Sequence, residues 1–301
     1  MTTHLPLREI IKPLIIDPAA YRVSPGHGAE LGHRSTRIPP PYESKDAYEH
    51  HLARTAAELA KLQAILAAGQ DHAVLVVLQA MDAGGKDGTI KHVFSGLNPQ
   101  GCTVTSFKRP SRDEALHDFL WRTTVCLPPR GEIAIFNRSY YEEVVTARVH
   151  PELLRAEHVM PRAGLWQSRF DAINAMERSL VHEGTRIVKL FLHISKEEQA
   201  RRLLARIDNQ AKTWKFDEQD LAERERWDDH QSAYDACLTA TSTKAAPWYV
   251  IPADDKPSAR LMVGAIVLAA MQRLALRMPE IGPEARDKLQ AMRARLIEPG
   301  S

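Results

Sequence analysis

Ala73-Val-Leu-Val-Val-Leu-Gln-Ala-Met-Asp-Ala-Gly-Gly-Lys-Asp-Gly-Thr-Ile90 decides the fold. Residues 73–79 are a short, nearly unbroken apolar run, the pattern of a parallel strand covered on both faces. A glycine-rich turn follows, then a helix from about Gly88. Gly84, Gly85 and Gly88 let the backbone curl so that several N–H groups converge on one anion. The new helix adds its positive N-terminal end, and Lys86 adds a full charge on a flexible stem. Together these features make a phosphate cradle. The cradle departs from a standard Walker A loop, which has glycine where Ala80 stands and Ser or Thr where Asp87 stands. Without that hydroxyl a metal ion needs another carboxylate, and Asp82, inside the loop, is the candidate.

Outward from this unit the chain alternates strands and helices. Thr103–Phe107, Ile133–Phe136, Ile187–Ile194 and Trp248–Ile251 are four further strand candidates. The intervals between them are long enough for crossover helices, which forces parallel pairing. Five such strands predict a three-layer, doubly wound α/β sheet within residues 43–280. A helix from about Ser44 to Ala68 precedes the first strand, with Leu52, Leu59, Leu62 and Leu66 at helical spacing and Gly69 as its stop. Residues 1–42 are punctuated by prolines and read as an extended arm over the domain. Residues 281–301 read as a C-terminal helix or tail. Residues 195–243, between the fourth and fifth strands, are too long and too charged for an ordinary crossover and predict a helical lid. Arg201, Arg202 and Arg206 lie close together with few acids among them, so they are read as phosphate ligands. The alternating charges of residues 217–226 read instead as solvated helix faces. Lys212 and Lys215 add to the lid's charge. Trp214 and Trp227 could stack on a base, although packing of the lid onto its domain is at least as common a use.

Two more segments point to the same chemistry. Ile133-Ala-Ile-Phe-Asn-Arg-Ser-Tyr-Tyr-Glu-Glu143 is an apolar strand ending in a polar group, as in strands that carry the Walker B acid. The terminal residue is Asn137, which carries no charge. Glu142 could return a carboxylate to that place, with Arg138 beside it; the bland alternative is that Glu142 and Glu143 favour a helix dipole. Phe107-Lys-Arg-Pro-Ser-Arg112 is a basic corner at the end of the second strand. Ligands of open α/β sheets bind outside the carboxyl ends of the strands. Lys86, Lys108, Arg109, Arg112 and Arg138 all fall near such ends, so the site is built for a highly anionic ligand. Ser139 lacks the G-x-S-x-G context of a hydrolase nucleophile. His50 and His51 look solvated, and His182 and His193 lack metal-ligand spacing.

The 301 residues are 44% hydrophobic and 26% charged with a formal net charge of +2, which excludes a disordered chain and gives no general pull toward nucleic acid. Cys102, Cys126 and Cys237 form no CxxC pair, which argues against a zinc site or disulfide framework and suits a reducing cytosol. The longest near-apolar run, Leu261–Met271, is far short of a membrane span, and the N-terminus lacks a signal-peptide core. A cytoplasmic protein without membrane or nucleic-acid partners is expected.

The segments Gln79–Ile90, Phe107–Pro110, Phe136–Glu143 and Arg206–Phe216 together resemble the second polyphosphate kinase family, and the likeness spans roughly residues 12–273. The resemblance implies a thymidylate-kinase-like P-loop core with a helical lid, dependence on Mg²⁺ or Mn²⁺, and a dimer or tetramer. It implies reversible phosphate transfer between inorganic polyphosphate and AMP, ADP or ATP. An ATP-dependent kinase of a nucleotide or small metabolite on the same fold is the alternative. The Asn-Arg-Ser-Tyr-Tyr-Glu version resembles the class that phosphorylates both nucleoside mono- and diphosphates. Carried over by position, the catalytic set is Asp82, Lys86, Arg138 and Glu142, and the metal ligands are Asp82, Asn137 and Glu142. Phosphate contacts fall to Gly84, Gly85, Asp87 and Gly88 of the loop, Lys108, Arg109 and Arg112 of the rim, and Arg201, Arg202 and Arg206 of the lid.

Overall fold

The computed structural model describes residues 16–209 and 218–297. Lys212, Trp214, Lys215 and the end of the Arg206–Phe216 motif lie outside them. The first half of the chain builds α1 (Lys45–Gly69), β1 (Ala73–Ala80), α2 (Lys86–Val93), β2 (Cys102–Ser106), α3 (Trp121–Thr124), β3 (Ile133–Asn137), α4 (Thr146–Val149) and α5 (Glu152–Ala156). The second half adds α6 (Leu165–His182), β4 (Thr185–His193), α7 (Lys196–Ile207), α8 (Glu218–Glu225), α9 (Trp227–Thr241), β5 (Trp248–Pro252), α10 (Lys256–Gln272) and α11 (Pro283–Ile297).

The five strands are all parallel in the order β2-β3-β1-β4-β5. β1 is central, and every one of its residues is buried, as its unbroken apolar run requires. From β1 the chain moves outward to β2, returns through β3, then continues on the other side of β1 through β4 and β5. This reversal opens a crevice at the carboxyl ends of β1, β3 and β4, where α/β sheets bind ligands. One face of the sheet carries α1, α2 and α10, and the other α4, α6 and α9, giving the expected three-layer P-loop kinase-like fold. β2, on the sheet edge, leaves Val104 53% exposed and is the one strand without an alternating or continuous buried pattern.

Several boundaries move by a few residues. Ser44 caps α1 by accepting from the Ala47 N–H, but the left-handed stop is Gln70 (φ 53°) rather than Gly69. Gly69 is required for another reason: a Cβ there would lie 2.9 Å from the Arg277 carbonyl. α2 begins at Lys86, two residues before the expected start, because Gly85 serves as its N-cap. Within the stretch expected as a lid, α9 belongs to the core: Trp227, Tyr234, Cys237 and Leu238 are buried against the domain. Trp227 is therefore a packing residue. The Leu261–Met271 run is the buried face of α10, and no helix among the described residues is long and apolar enough to cross a membrane.

Residues 16–42 lace the β5 side of the domain. The Val23 N–H donates to the Trp248 carbonyl at 2.9 Å, the Leu31 N–H to Asp235 Oδ1 at 2.8 Å, and the Thr36 hydroxyl to Asp254 Oδ2 at 2.8 Å. Val23, Ala29 and Leu31 are buried in the process. The other side of the sheet holds a charged network sealed from water. Lys189 Nζ lies 2.6 Å from Glu177 Oε2, while the Tyr140 and Tyr141 hydroxyls donate to Glu177 Oε1 at 2.8 and 2.7 Å. The two tyrosines after Ser139 thus serve as anchors that pin the β3 loop to α6.

Candidate active site

The β1 loop is shaped by steric necessity. A Cβ on Gly84 would lie 2.5 Å from the Ala80 Cβ, and Gly85 sits at φ 99°, so neither position tolerates a side chain. Gly88 is less constrained, with only Arg260 Nη2 nearby at 3.4 Å. Gln79, fully buried, donates to Ser139 Oγ at 3.2 Å and so ties the ends of β1 and β3 together. Ser139 is itself fully buried and caps the turn that follows, as its lack of a nucleophile context predicts.

Lys86 folds back so that Nζ donates to the Ala80 carbonyl at 3.0 Å, an oxygen that also accepts from the Tyr234 hydroxyl at 3.2 Å. Burial, and then the charge of Arg138, lower the Lys86 pKa to about 8, against an opposing pull from Asp82, Glu142 and Asp87. Arg138 follows β3 in a left-handed conformation (φ 63°), a strained state for a residue with a side chain. Its N–H still donates to the Leu78 carbonyl at 3.0 Å, which fixes the turn against β1. The guanidinium reaches Asp82 Oδ1 at 2.7 Å and Glu142 Oε2 at 3.6 Å. Glu142 and then Asp82 raise its already high pKa against the cost of burial. Glu142 Oε2 also accepts from the Thr146 hydroxyl at 2.7 Å. Asn137 Nδ2 donates to Asp87 Oδ1 at 2.8 Å, so the Asp87 carboxylate faces an amide and not an anion. Any phosphate contact from Asp87 must come from its backbone N–H in the first turn of α2.

These groups border a cavity of about 1010 Å³ that nine Lys or Arg and four Asp or Glu line. Of the sequence-predicted residues, Asp82, Lys86, Asn137, Arg138, Glu142, the loop glycines, Asp87, Lys108, Arg109, Arg201, Arg202 and Arg206 all lie on its wall. Arg112 does not; it is exposed beyond the rim. Arg202 has a different part from the one expected. It is buried, pairs with Glu198 at 2.6 Å, and donates to the carbonyls of Ala83, Gly84, Ala253 and Asp254. Glu143 also works structurally: Arg122 pairs with it at 2.7 Å and donates to the Lys108 carbonyl, bracing the rim. Burial, and next its neighbour Glu157, raise the Glu143 pKa to about 8. The side-chain oxygens of Asp82, Glu142 and Asn137 border the same cavity, a chemistry compatible with a hard, oxygen-bound cation.

A profile described as Polyphosphate kinase 2 (PPK2) matches residues 42–278. The chain belongs to the polyphosphate kinase 2 family. It is 51% identical over 284 residues to an ADP-polyphosphate phosphotransferase of Rhodopseudomonas palustris, covering 92% of this chain and 98% of that one. It is 45% identical to an AMP/ADP-polyphosphate phosphotransferase of Meiothermus ruber, covering 86% and 95%. A crystal structure of polyphosphate kinase 2 from Arthrobacter aurescens superposes with a TM-score of 0.83 at 38% identity, over 93% of this chain and 99% of that one.

Other wall residues of this polyphosphate kinase 2 family member carry no motif. Lys256 and Arg260 enter from the first two turns of α10, after β5, and Gln199 donates from α7 to the Asp82 carbonyl at 3.1 Å. Burial, and then Arg202, lower the Lys256 pKa. Their signal was positional only: α10 starts at the carboxyl end of a parallel strand, as α2 does. His150, Glu223 and His230 complete the far wall.

Proposed function

We propose that this protein transfers phosphate reversibly between inorganic polyphosphate and the nucleotides AMP and ADP, with Mg²⁺ as its metal. One observation carries the reading: the cations of β1, β2, β3, α7 and α10 converge on a single cavity at the carboxyl edge of the sheet. So cationic a wall needs a polyanionic guest, and the names of the relatives supply its chemistry. The terminal phosphate oxygen of the acceptor attacks the end phosphorus of the polyphosphate chain. A new P–O bond forms as the old anhydride bond breaks, and the shortened chain leaves. Such transition states are loose and demand chiefly positioning and charge neutralisation.

Lys86 and the N–H groups of the loop hold the transferring phosphate. Arg138, aimed by its strained backbone, neutralises charge beside it. Asp82 orients the attacking oxygen, and Arg109, Arg201 and Arg206 guide the rest of the chain. Asp82, Glu142 and the Asn137 amide oxygen would hold Mg²⁺, which when bound would supply neutralisation of phosphate charge. Because one phosphoanhydride replaces another, the reaction runs in both directions. The same reading places the enzyme in the cytosol as a dimer or tetramer.

The test is ATP formation by purified protein given Mg²⁺, long-chain polyphosphate and ADP, repeated with AMP. ATP from both acceptors is expected. ATP from ADP alone would restrict the enzyme to diphosphates. Failure with polyphosphate but turnover with ATP as donor would replace this reading with an ATP-dependent kinase.

A further inference from the structure

His150, Glu223 and His230 come from three separate elements: the end of α4, the last turn of α8 and the first turn of α9. Their ligand atoms all lie within 4.8 Å of one another. His150 Nε2 is 2.8 Å and His230 Nε2 2.7 Å from the same oxygen, Glu223 Oε2. Gln219, one turn earlier on α8, donates to the other oxygen, Oε1, at 3.2 Å.

The donor set of this cluster suits a cation. His150 Nδ1 lies 2.9 Å from Glu152 Oε1, a carboxylate that can only accept. With the ring proton on Nδ1 facing Glu152, the Nε2 lone pair points straight at the Glu223 carboxylate. Either a second ring proton or a metal ion completes that 2.8 Å contact, and the second imidazole on the same carboxylate oxygen is what favours the ion. Arg226 Nη1, 3.5 Å from His150 Nδ1, is committed to the Val149 carbonyl at 2.7 Å and lies on the far side of the ring. The arrangement has the features of a metal-binding triad: two imidazoles, one carboxylate, and an outer carboxylate that fixes a ligand tautomer.

We propose that His150, Glu223 and His230 bind a transition-metal ion of the Zn²⁺ type, and that this ion fastens α8 over the anion cavity. Two imidazole nitrogens and one oxygen suit Zn²⁺ and its first-row neighbours, whereas Mg²⁺ favours oxygen donors. The site is therefore separate in chemistry from the Asp82 and Glu142 set. Ligand atoms around a tetrahedral ion with bonds of about 2.0–2.1 Å stand roughly 3.3 Å apart, so the three need spread only slightly to admit it. Because all three residues line the cavity, the fourth position opens onto it and takes water or a phosphate oxygen. Occupancy ties α8 to α4 and α9 at once.

The experiment is calorimetric titration of the full-chain protein with Zn²⁺ in Mg²⁺-containing buffer, together with the visible spectrum of the Co²⁺ form. One ion per chain is expected, with nitrogen- and oxygen-ligated Co²⁺ bands and no thiolate charge-transfer band from the three cysteines. His230→Ala and Glu223→Gln should abolish it. Glu152→Gln, at an exposed position that should leave folding intact, should weaken Zn²⁺ binding about 10- to 100-fold by releasing the His150 tautomer. Zn²⁺ should also slow proteolysis around α8 in the wild type and not in the variants. No stoichiometric binding by the wild type, or unchanged affinity in Glu152→Gln and His230→Ala, would overturn the proposal.

Discussion

Arg202 Nη1 donates to the carbonyl of Gly84 at 3.0 Å, so an arginine of α7 holds the backbone of the β1 loop rather than pointing at the space the loop encloses. The same nitrogen also reaches the Ala83 carbonyl, and the others are spent on Ala253, Asp254 and Glu198. The loop, the start of α7 and the β5–α10 connection are thereby one rigid unit. A loop displaced by even about 1 Å loses on the order of 100-fold in rate, because transfer depends on alignment.

Arg202→Lys keeps the charge and loses the planar fork that reaches several carbonyls at once. We expect kcat to fall about 10- to 100-fold, with a lower melting temperature and little change in the KM for polyphosphate. Arg109→Ala, at an exposed rim position, should do the reverse: a raised KM that depends on ionic strength, with kcat and stability nearly intact. Steady-state kinetics at two salt concentrations separate the patterns. If Arg202→Lys shifted only the salt-dependent KM, Arg202 would be a phosphate ligand after all.

Lys86 carries a second prediction, in pH. With its pKa lowered to about 8 by burial, the free enzyme loses the loop cation as pH rises through that value. The kcat/KM for polyphosphate should therefore fall above about pH 8. For folding, a lysine whose native pKa lies below its unfolded value of 10.5 destabilises the protein fully below about pH 8, and this cost vanishes toward pH 10.5. Lys86→Met should abolish turnover yet raise stability at pH 7 by up to about 3 kcal/mol, a gain that shrinks as pH climbs from 8 to 10.5. Ala80 O stays satisfied by Tyr234, so no orphaned carbonyl offsets the gain. Denaturant melts at pH 7 and pH 10 test this directly.

Local pattern and tertiary context divide what the sequence could reveal. The Ala73–Ile90 unit and the Asn137–Glu142 turn were legible because parallel strands deliver their carboxyl ends to one edge, whatever the details of packing. The reach of α9 into the core was legible in principle. Trp227, Tyr234, Cys237 and Leu238 recur at helical spacing, and the charge of the preceding helix masked them. Lys256 and Arg260 had no glycine signature to mark them, since α10 begins with an Asp255 side-chain cap rather than a phosphate loop. The role of Arg202 could not be read at all: its partners lie more than 50 residues away or in a neighbouring turn, and only the folded chain brings them together. The same is true of His150 and His230, whose common carboxylate belongs to a third helix.

The Glu177–Lys189 pair predicts a stability result far from the cavity. Both side chains are almost fully buried, and burial, partly countered by Glu177, lowers the Lys189 pKa. Removing one partner leaves a charge or a proton deficit in the core. Lys189→Met should cost about 3–5 kcal/mol, and Glu177→Gln a similar amount. The double variant should cost clearly less than the two singles added together, because it removes both buried charges. Urea midpoints of the four proteins measure the coupling. Additive losses would mean that the tyrosine hydrogen bonds to Glu177, and not the ion pair, hold α6 against the sheet.

On the proposed mechanism, Glu142 is expected to set how the enzyme treats acceptors of different length. Its Oε2 is held by the Thr146 hydroxyl at 2.7 Å and stands beside Arg138, one turn beyond the strand end where Asn137 supplies no charge. An ADP acceptor carries its own second phosphate, which adds charge for the metal and the cations to grip. AMP lacks that phosphate, so on the proposed mechanism it should depend more on a protein carboxylate beside its single phosphate. Glu142→Gln should therefore lower kcat/KM with AMP at least about tenfold more than with ADP, a difference of roughly 1.4 kcal/mol between the two transition states. Thr146→Val, which removes the hydroxyl that orients Oε2, should shift selectivity the same way by a smaller factor. Parallel assays of both acceptors with one polyphosphate preparation give the ratio directly. Equal losses on AMP and ADP would assign Glu142 to general charge balance around Arg138 and leave acceptor choice to another part of the wall.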